Sequence, residues 1–381
     1  MLNFTYYNPA KIVFGRESEN NVAQYIIPYG KRVLLHYGQG SIKKSGLYDR
    51  VAKNLKENGI YFTELSGVKP NPRLSLVREG IEICKKENID LILAVGGGSV
   101  IDSAKAIAVG VENDRDIWDF FEDRSLAIDK ALPIGVILTI AAAGSETITS
   151  SVITNDTNGL KRGISSTAYI PKFAVLNPQL TCTLSSYQTA CGCVDMVSHM
   201  FERYFCNVDN VDYTDRMIEA AIGCVIDNSL KAIAEPDNYD VRAEIMWAGT
   251  QAHNNILGVG RVWDGGCHQI EHELSGMFDI THGEGLAIVI PAWMKYVSKR
   301  KNDKFLQLAK KSFFVDTTEE MIEKIENWYR KMGLKTRLSE IGINEDSFEK
   351  LADQCFINRD TIGKFAVLDR ADFINIMNIA K

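Results

Sequence analysis

Short unbroken apolar runs alternate with amphipathic stretches from residue 31 to about residue 138. The runs at 31–37 (KRVLLHY), 61–65, 89–95 (IDLILAV) and 133–140 (PIGVILTI) have the length and make-up of strands buried on both faces. Between them, 42–58, 74–88 and 100–111 carry the helical period, and this alternation predicts βαβ units around a parallel sheet. Residues 118–129 read as an irregular polar excursion, and 161–177 as the strand that finishes the first domain. Beyond residue 180 the period is 3.6 almost throughout, predicting helices near 185–205, 211–234, 240–257, 282–298, 303–313, 317–333 and 370–380. Pro236, Pro291 and the glycines at 258, 260, 265 and 266 interrupt them. The expected fold is an α/β domain over residues 1–180 followed by an all-α domain over 181–381.

Composition narrows the possibilities without naming a chemistry. The 381 residues are 45% apolar and 24% charged, as in an ordinary globular protein, with a net charge of −6. No basic block exceeds the Lys43-Lys44 and Lys299-Arg300-Lys301 clusters, so no nucleic-acid partner is expected. The first residues, MLNFTYYNPAKIVFG, lack a basic segment followed by an apolar core, and no 18-residue apolar run occurs. The expectation is a cytoplasmic protein with no membrane partner. Eight cysteines lie mostly in apolar segments without CxxC pairing and read as buried free thiols. Cys191 and Cys193 form a CxC, but i,i+2 residues on a helix point to different faces.

The strand at 89–95 runs into Gly96-Gly97-Gly98-Ser99 and then a helix. Glycines there let the backbone approach an anion and adopt positive φ, while the helix N-terminus adds partial positive charge. The letters depart from G-x-G-x-x-G because Ile101 stands at the third glycine, and GGGS alone is also compatible with a plain tight turn. Asp102 or Ser99 is available to cap the helix under either reading. A second polar turn, Gly38-Gln39-Gly40-Ser41-Ile42-Lys43-Lys44, follows the first strand of the sheet. A dinucleotide enzyme preferring NAD commonly places a carboxylate on the ribose 2′-hydroxyl, whereas a 2′-phosphate needs donors or a cation. Gly38 offers no carboxylate while Ser41 and Lys43 offer donors, so NADP(H) is the preferred expectation, with NAD possible.

Asp195 and His199 stand four residues apart in a helical stretch, and His268 and His282 follow downstream. Residues i and i+4 on a helix have Cβ atoms about 5–6 Å apart, close enough to ligate one ion. One carboxylate and three imidazoles suit Fe2+ or Zn2+ better than calcium or magnesium, which take all-oxygen shells. His272, four residues after His268, reads either as a proton shuttle or as a supporting imidazole. His268-Gln269-Ile270-Glu271-His272 is also literally H-x-x-E-H, which would make His268, Glu271 and His272 the centre of a zinc metallopeptidase. That alternative leaves Asp195, His199, His282 and both glycine turns without a task.

The segments NPR at 71–73, GGGSVIDSAK at 96–105, AAGSE at 142–146, GCVDMVSHMFERY at 192–204, EPDNYDVRAEIMWA at 235–248 and the stretch from His268 to His282-Gly283 resemble the iron-containing alcohol dehydrogenases. The likeness is to the branch of NADPH-dependent butanol dehydrogenases and aldehyde reductases, and it covers nearly the whole chain. It implies a Rossmann-like dinucleotide-binding domain followed by a helical metal-binding domain, and reversible reduction of an aliphatic aldehyde to a primary alcohol. It implies Asp195, His199, His268 and His282 as ligands of one divalent metal, and Gly97, Gly98 and Ser99 as the pyrophosphate turn. Asn71, Asp102, Thr139, Ser145, Lys161 and Leu180 are implied as further cofactor contacts, and Gly38 as the place where NAD-preferring members carry Asp. The chain departs from the NADPH branch at Gln39, where relatives often have Gly. A homodimer is likewise implied by the resemblance.

Overall fold

The computed structural model describes residues 1–381. Two compact units divide the chain: Tyr7–Thr183 form one, and Met1–Tyr6 with Leu184–Lys381 form the other. The first six residues join the helical unit, where the Leu2 N–H donates to Gly260 O at 2.9 Å.

In the first unit, β1 (Lys11–Phe14), β2 (Arg32–Gly38), β3 (Tyr61–Val68), β4 (Leu91–Gly96), β5 (Ile134–Leu138) and β8 (Phe173–Leu176) form one sheet in the order β1-β8-β5-β4-β2-β3. Every pairing in it is parallel. The strands β2, β4, β5 and β8 are apolar and buried over most of their length because layers cover both faces. After β3 the chain returns to the other side of β2 to lay down β4, so successive connections diverge from the gap between β2 and β4. Ligands of open α/β sheets bind outside the carboxyl ends of the strands at such a divergence. Helices α1 (Leu47–Glu57), α2 (Leu74–Glu87) and α3 (Gly98–Val111) provide the crossovers. Nearly every residue of α3 from Val100 on is buried, and Gly80 on α2 gives it room: a Cβ there would lie 2.4 Å from the Ile107 side chain.

Three local expectations change. Residues 118–129 are not simply a polar excursion, since Ile117–Glu122 is a short helix burying Ile117, Trp118, Phe120 and Phe121. The stretch 161–177 is two strands: β7 (Lys161–Ser165) pairs antiparallel with β6 (Ser150–Thr154), and only β8 joins the main sheet. The helix at 42–58 is broken at Gly46, whose φ of 73° a side chain resists.

The second unit is helical: α4 (Ser186–Tyr204), α5 (Asp212–Ala234), α6 (Tyr239–Ala252), α7 (Gly266–Phe278), α8 (His282–Val297), α9 (Thr318–Lys331) and α10 (Arg370–Ala380) are its longer elements. A reciprocal capping box between Ser185 and Gln188 starts α4, and every residue from Thr189 to Tyr204 is buried. Helix α7 was not among the sequence expectations. Gly265 and Gly266 begin this helix instead of breaking one, with Gly265 at φ 75° supplying the left-handed residue before the first turn. No helix is long and apolar enough to cross a membrane. All eight cysteines are free thiols.

Candidate metal centre and nucleotide turn

Three helices of the second unit bring one carboxylate and three imidazoles together. Helix α4 carries Asp195 and His199 on one face, α7 carries His268, and His282 is the first residue of α8. Gly283 sets the approach of α8, because a Cβ there would fall 2.2 Å from Cys191 O, one turn before Asp195. Around Asp195 Oδ1, the Nε2 atoms of His199, His282 and His268 lie at 3.3, 3.6 and 3.8 Å. This oxygen is buried and has no hydrogen-bond partner in the fold. The coordinating atoms of Asp195, His268 and His282 all fall within 4.8 Å of one another. A buried carboxylate oxygen without a proton donor, ringed by imidazole nitrogens, fits a divalent cation, and the mixed oxygen and nitrogen donors fit Fe2+ or Zn2+.

Electrostatics separate the imidazoles. Burial, with His253 and His268 nearby, lowers the His199 pKa well below its ordinary value and keeps that ring neutral. Burial also lowers His268, but Glu202 and Asp195 outweigh it and push its pKa up to about 10. Glu202 is itself held below its ordinary value: burial raises it, and His268 more than offsets that. His199 is stacked between two other rings, 4.1 Å from the His253 centroid and 4.2 Å from His268. Sequence reasoning gave His253 no role, and Glu202 escaped it altogether. The signal for Glu202 was its spacing, three residues after His199 and seven after Asp195 on the same helix.

His272 is partly buried, with its ring 5.7 Å from His282 and 6.4 Å from His268 at 88°. Glu271 is fully buried and its carboxylate meets His282 Nδ1. A peptidase of the H-x-x-E-H type needs that carboxylate to activate water. Its engagement with His282 removes support from the metallopeptidase alternative.

The remaining candidates lie in the first unit. Gly97 precedes α3 at the carboxyl end of β4, and the helix end presents the unsatisfied N–H groups of its first turn. The reason for glycine differs from the expectation. None of Gly96, Gly97 and Gly98 has positive φ; a Cβ on Gly96 would lie 2.4 Å from Val100, and one on Gly97 3.0 Å from Ile140. Close approach, not a left-handed backbone, requires Gly96 and favours Gly97, whereas a Cβ on Gly98 would meet only Ser145 at an ordinary 3.9 Å. Neither Ser99 nor Asp102 caps α3. Asp102 instead accepts from the Ser145 hydroxyl at 2.6 Å and from Val152 N–H at 3.0 Å. Burial raises the Asp102 pKa against the pull of Lys105. The Thr139 N–H donates to Gly96 O at 3.0 Å, tying the strand end to the turn.

Lys161 Nζ donates to Asn71 Oδ1 at 3.0 Å, and Asn71 has φ 55°. Gly38 ends β2, followed by Gln39 and, after Gly40, the short helix Ser41–Lys44. The Lys43 ammonium is 3.3 Å from Glu64 and 4.6 Å from the Tyr48 ring centroid. Leu180 packs against the hydrophobic core of this unit. Thus Asp102 with Ser145, Asn71 with Lys161, and Thr139 with the glycine turn are brought together, while Leu180 is placed against the hydrophobic core.

Known proteins extend the picture. The model of the iron-containing alcohol dehydrogenases matches residues 9–178, and that of the C-terminal region of the same family matches 189–380. Over 385 residues the chain is 43% identical to the probable NADH-dependent butanol dehydrogenase 1 of Bacillus subtilis, covering 99% of each chain. It is 35% identical to the NADPH-dependent aldehyde reductase YqhD of Escherichia coli over 359 residues, covering 92% of each. The crystal structure of an NADH-dependent butanol dehydrogenase A from Thermotoga maritima superposes with a TM-score of 0.97 at 41% identity, over 100% of this chain and 99% of that one.

Proposed function

The chain belongs to the iron-containing alcohol dehydrogenase family, and as an oxidoreductase of that family we propose that it interconverts a primary aliphatic aldehyde, such as butanal, with its alcohol. The observation that carries the reading is Asp195 Oδ1, buried without a hydrogen-bond partner and faced by three imidazole Nε2 atoms. Asp195, His199, His268 and His282 would hold one divalent ion, Fe2+ or Zn2+. When bound, the ion supplies Lewis-acid polarisation of the carbonyl and the reduced nicotinamide supplies the hydride.

The protein's own groups then bind, orient and move the proton. The helix end after Gly97 would receive the cofactor pyrophosphate, its N–H groups and partial positive charge meeting the anion. Asp102 holds Ser145, and Lys161 holds Asn71, so the side chains proposed to line the cofactor have fixed neighbours. His272, with its ring 5.7 Å from that of His282, would give the product oxygen its proton.

For the cofactor we propose NADP(H), with NAD(H) also accepted. Gly38 supports the first because it brings no carboxylate to the turn, and Ser41 and Lys43 bring donors. NAD(H) is supported by the Bacillus relative, whose name specifies NADH. A homodimer located in the cytoplasm completes the proposal. The test is purified protein assayed against butanal with NADPH and NADH in parallel, following loss of the reduced-nicotinamide absorbance, together with elemental analysis. Silence with every aliphatic aldehyde would overturn the proposed substrate class.

A further inference from the structure

Two of the three imidazoles facing Asp195 carry a buried carboxylate on their other nitrogen. Glu202 Oε2 lies 2.7 Å from His268 Nδ1, an ion-pair contact bent away from the ideal hydrogen-bond line. The same side chain accepts from the His268 backbone N–H at 3.1 Å and from the Trp263 indole at 2.9 Å. Two hydrogen-bond donors and one imidazole nitrogen from one loop and helix therefore converge on Glu202. On the other side Glu271 meets His282 Nδ1. Gly285 makes room for it, since a Cβ there would lie 2.8 Å from Glu271 Cγ. His199 has no such partner: its Nδ1 is buried without a hydrogen bond, and its ring is held by stacking on His253 and His268.

An imidazole that keeps its proton on Nδ1 beside a carboxylate has the Nε2 lone pair directed at a cation, and the negative charge makes that lone pair more basic. We infer that Glu202 and Glu271 are positioning residues for a divalent cation, each fixing the Nδ1–H tautomer of its imidazole and raising the affinity of Nε2. The inference rests on the metal reading above. It divides the ligands: His268 and His282 are strengthened by charge, whereas His199 is oriented by packing alone. It also gives Glu271 a task that a water-activating role in H-x-x-E-H would contradict.

The test measures zinc affinity by chelator competition for the parent, Glu202→Gln and Glu271→Gln, with thermal unfolding of the metal-stripped proteins as the control for folding. Each variant is expected to bind zinc about 10- to 100-fold more weakly. A second measurement needs no variant: 15N spectra of the zinc-loaded parent should show His268 and His282 protonated at Nδ1 and metallated at Nε2. Unchanged zinc affinity in folded variants, or the reverse tautomers in the parent, overturns the inference while leaving the metal centre intact. A parent that takes up no zinc or iron overturns the metal reading and this inference with it.

Discussion

The Lys105 ammonium, wholly shielded from solvent, donates to the Ser145 backbone oxygen at 2.7 Å and to the Ser145 hydroxyl at 3.1 Å. It also donates to Ile148 O at 3.0 Å and Ser150 O at 2.8 Å. One buried cation on α3 thereby ties down the loop that leads into β6. Burial lowers its pKa to about 8 despite Asp102 and Glu146 nearby.

Lys105→Met removes a donor from three carbonyls and leaves Asp102 with less compensation. The expected loss of stability is about 2–4 kcal/mol in urea unfolding. Nucleotide binding should weaken too, because Ser145 lies in the proposed cofactor loop. A stability loss with the cofactor Kd unchanged would limit Lys105 to a structural role.

Acid should weaken the first unit through His36. Its Nδ1 meets Leu65 O and its Nε2 meets Ser103 Oγ, both at 2.9 Å, in a fully buried site. Burial, partly opposed by the bond to Leu65, lowers its pKa to about 4. The folded value lies below the unfolded one, so the unfolded chain binds the extra proton between the two. Stability from this group is present above pH ~6.5 and is lost as pH falls towards 4, about 2 kcal/mol of it by pH 5. Comparing urea unfolding at pH 7 and 5 for the parent and His36→Gln checks this. An identical acid loss in the variant would assign it to other groups.

Gly38→Asp should move cofactor preference towards NADH. A Cβ at Gly38 meets only Val68 O, at an ordinary 3.5 Å, so the carboxylate enters without a clash. Like charge against a 2′-phosphate should lower the NADPH to NADH ratio of kcat/KM by about tenfold or more. An unchanged ratio would remove this turn from cofactor selection.

His272→Ala should lower kcat by roughly 100-fold or more while the metal stays bound, as expected for loss of a proton donor. Elemental analysis beside the kinetics decides the matter. Loss of the ion would make His272 a ligand, and unchanged turnover would route the proton elsewhere.

Much of this architecture was legible one element at a time. The apolar runs at 31–37 and 89–95 became β2 and β4 because a strand buried on both faces is apolar at nearly every position, the hydrogen-bonded His36 being the buried exception in β2. The four-residue step from Asp195 to His199 placed both on one face of α4 because helix geometry alone sets that distance. Elements marked by a single ambiguous sign were less legible. The glycines at 265 and 266 looked like a break, yet a left-handed glycine can equally precede a first turn, and α7 was missed for that reason.

Local periodicity and near-neighbour spacing were thus determined by the sequence itself, because they depend on backbone geometry within a few residues. Tertiary structure alone decided the rest. Glu202 reaches His268 across 66 positions, Glu271 turns away from a peptidase role to His282, and Asp102 accepts from Ser145 instead of capping α3. Each choice follows from which buried donors packing leaves beside a buried acceptor, and a polar group removed from water takes the partner that the assembled fold brings within reach.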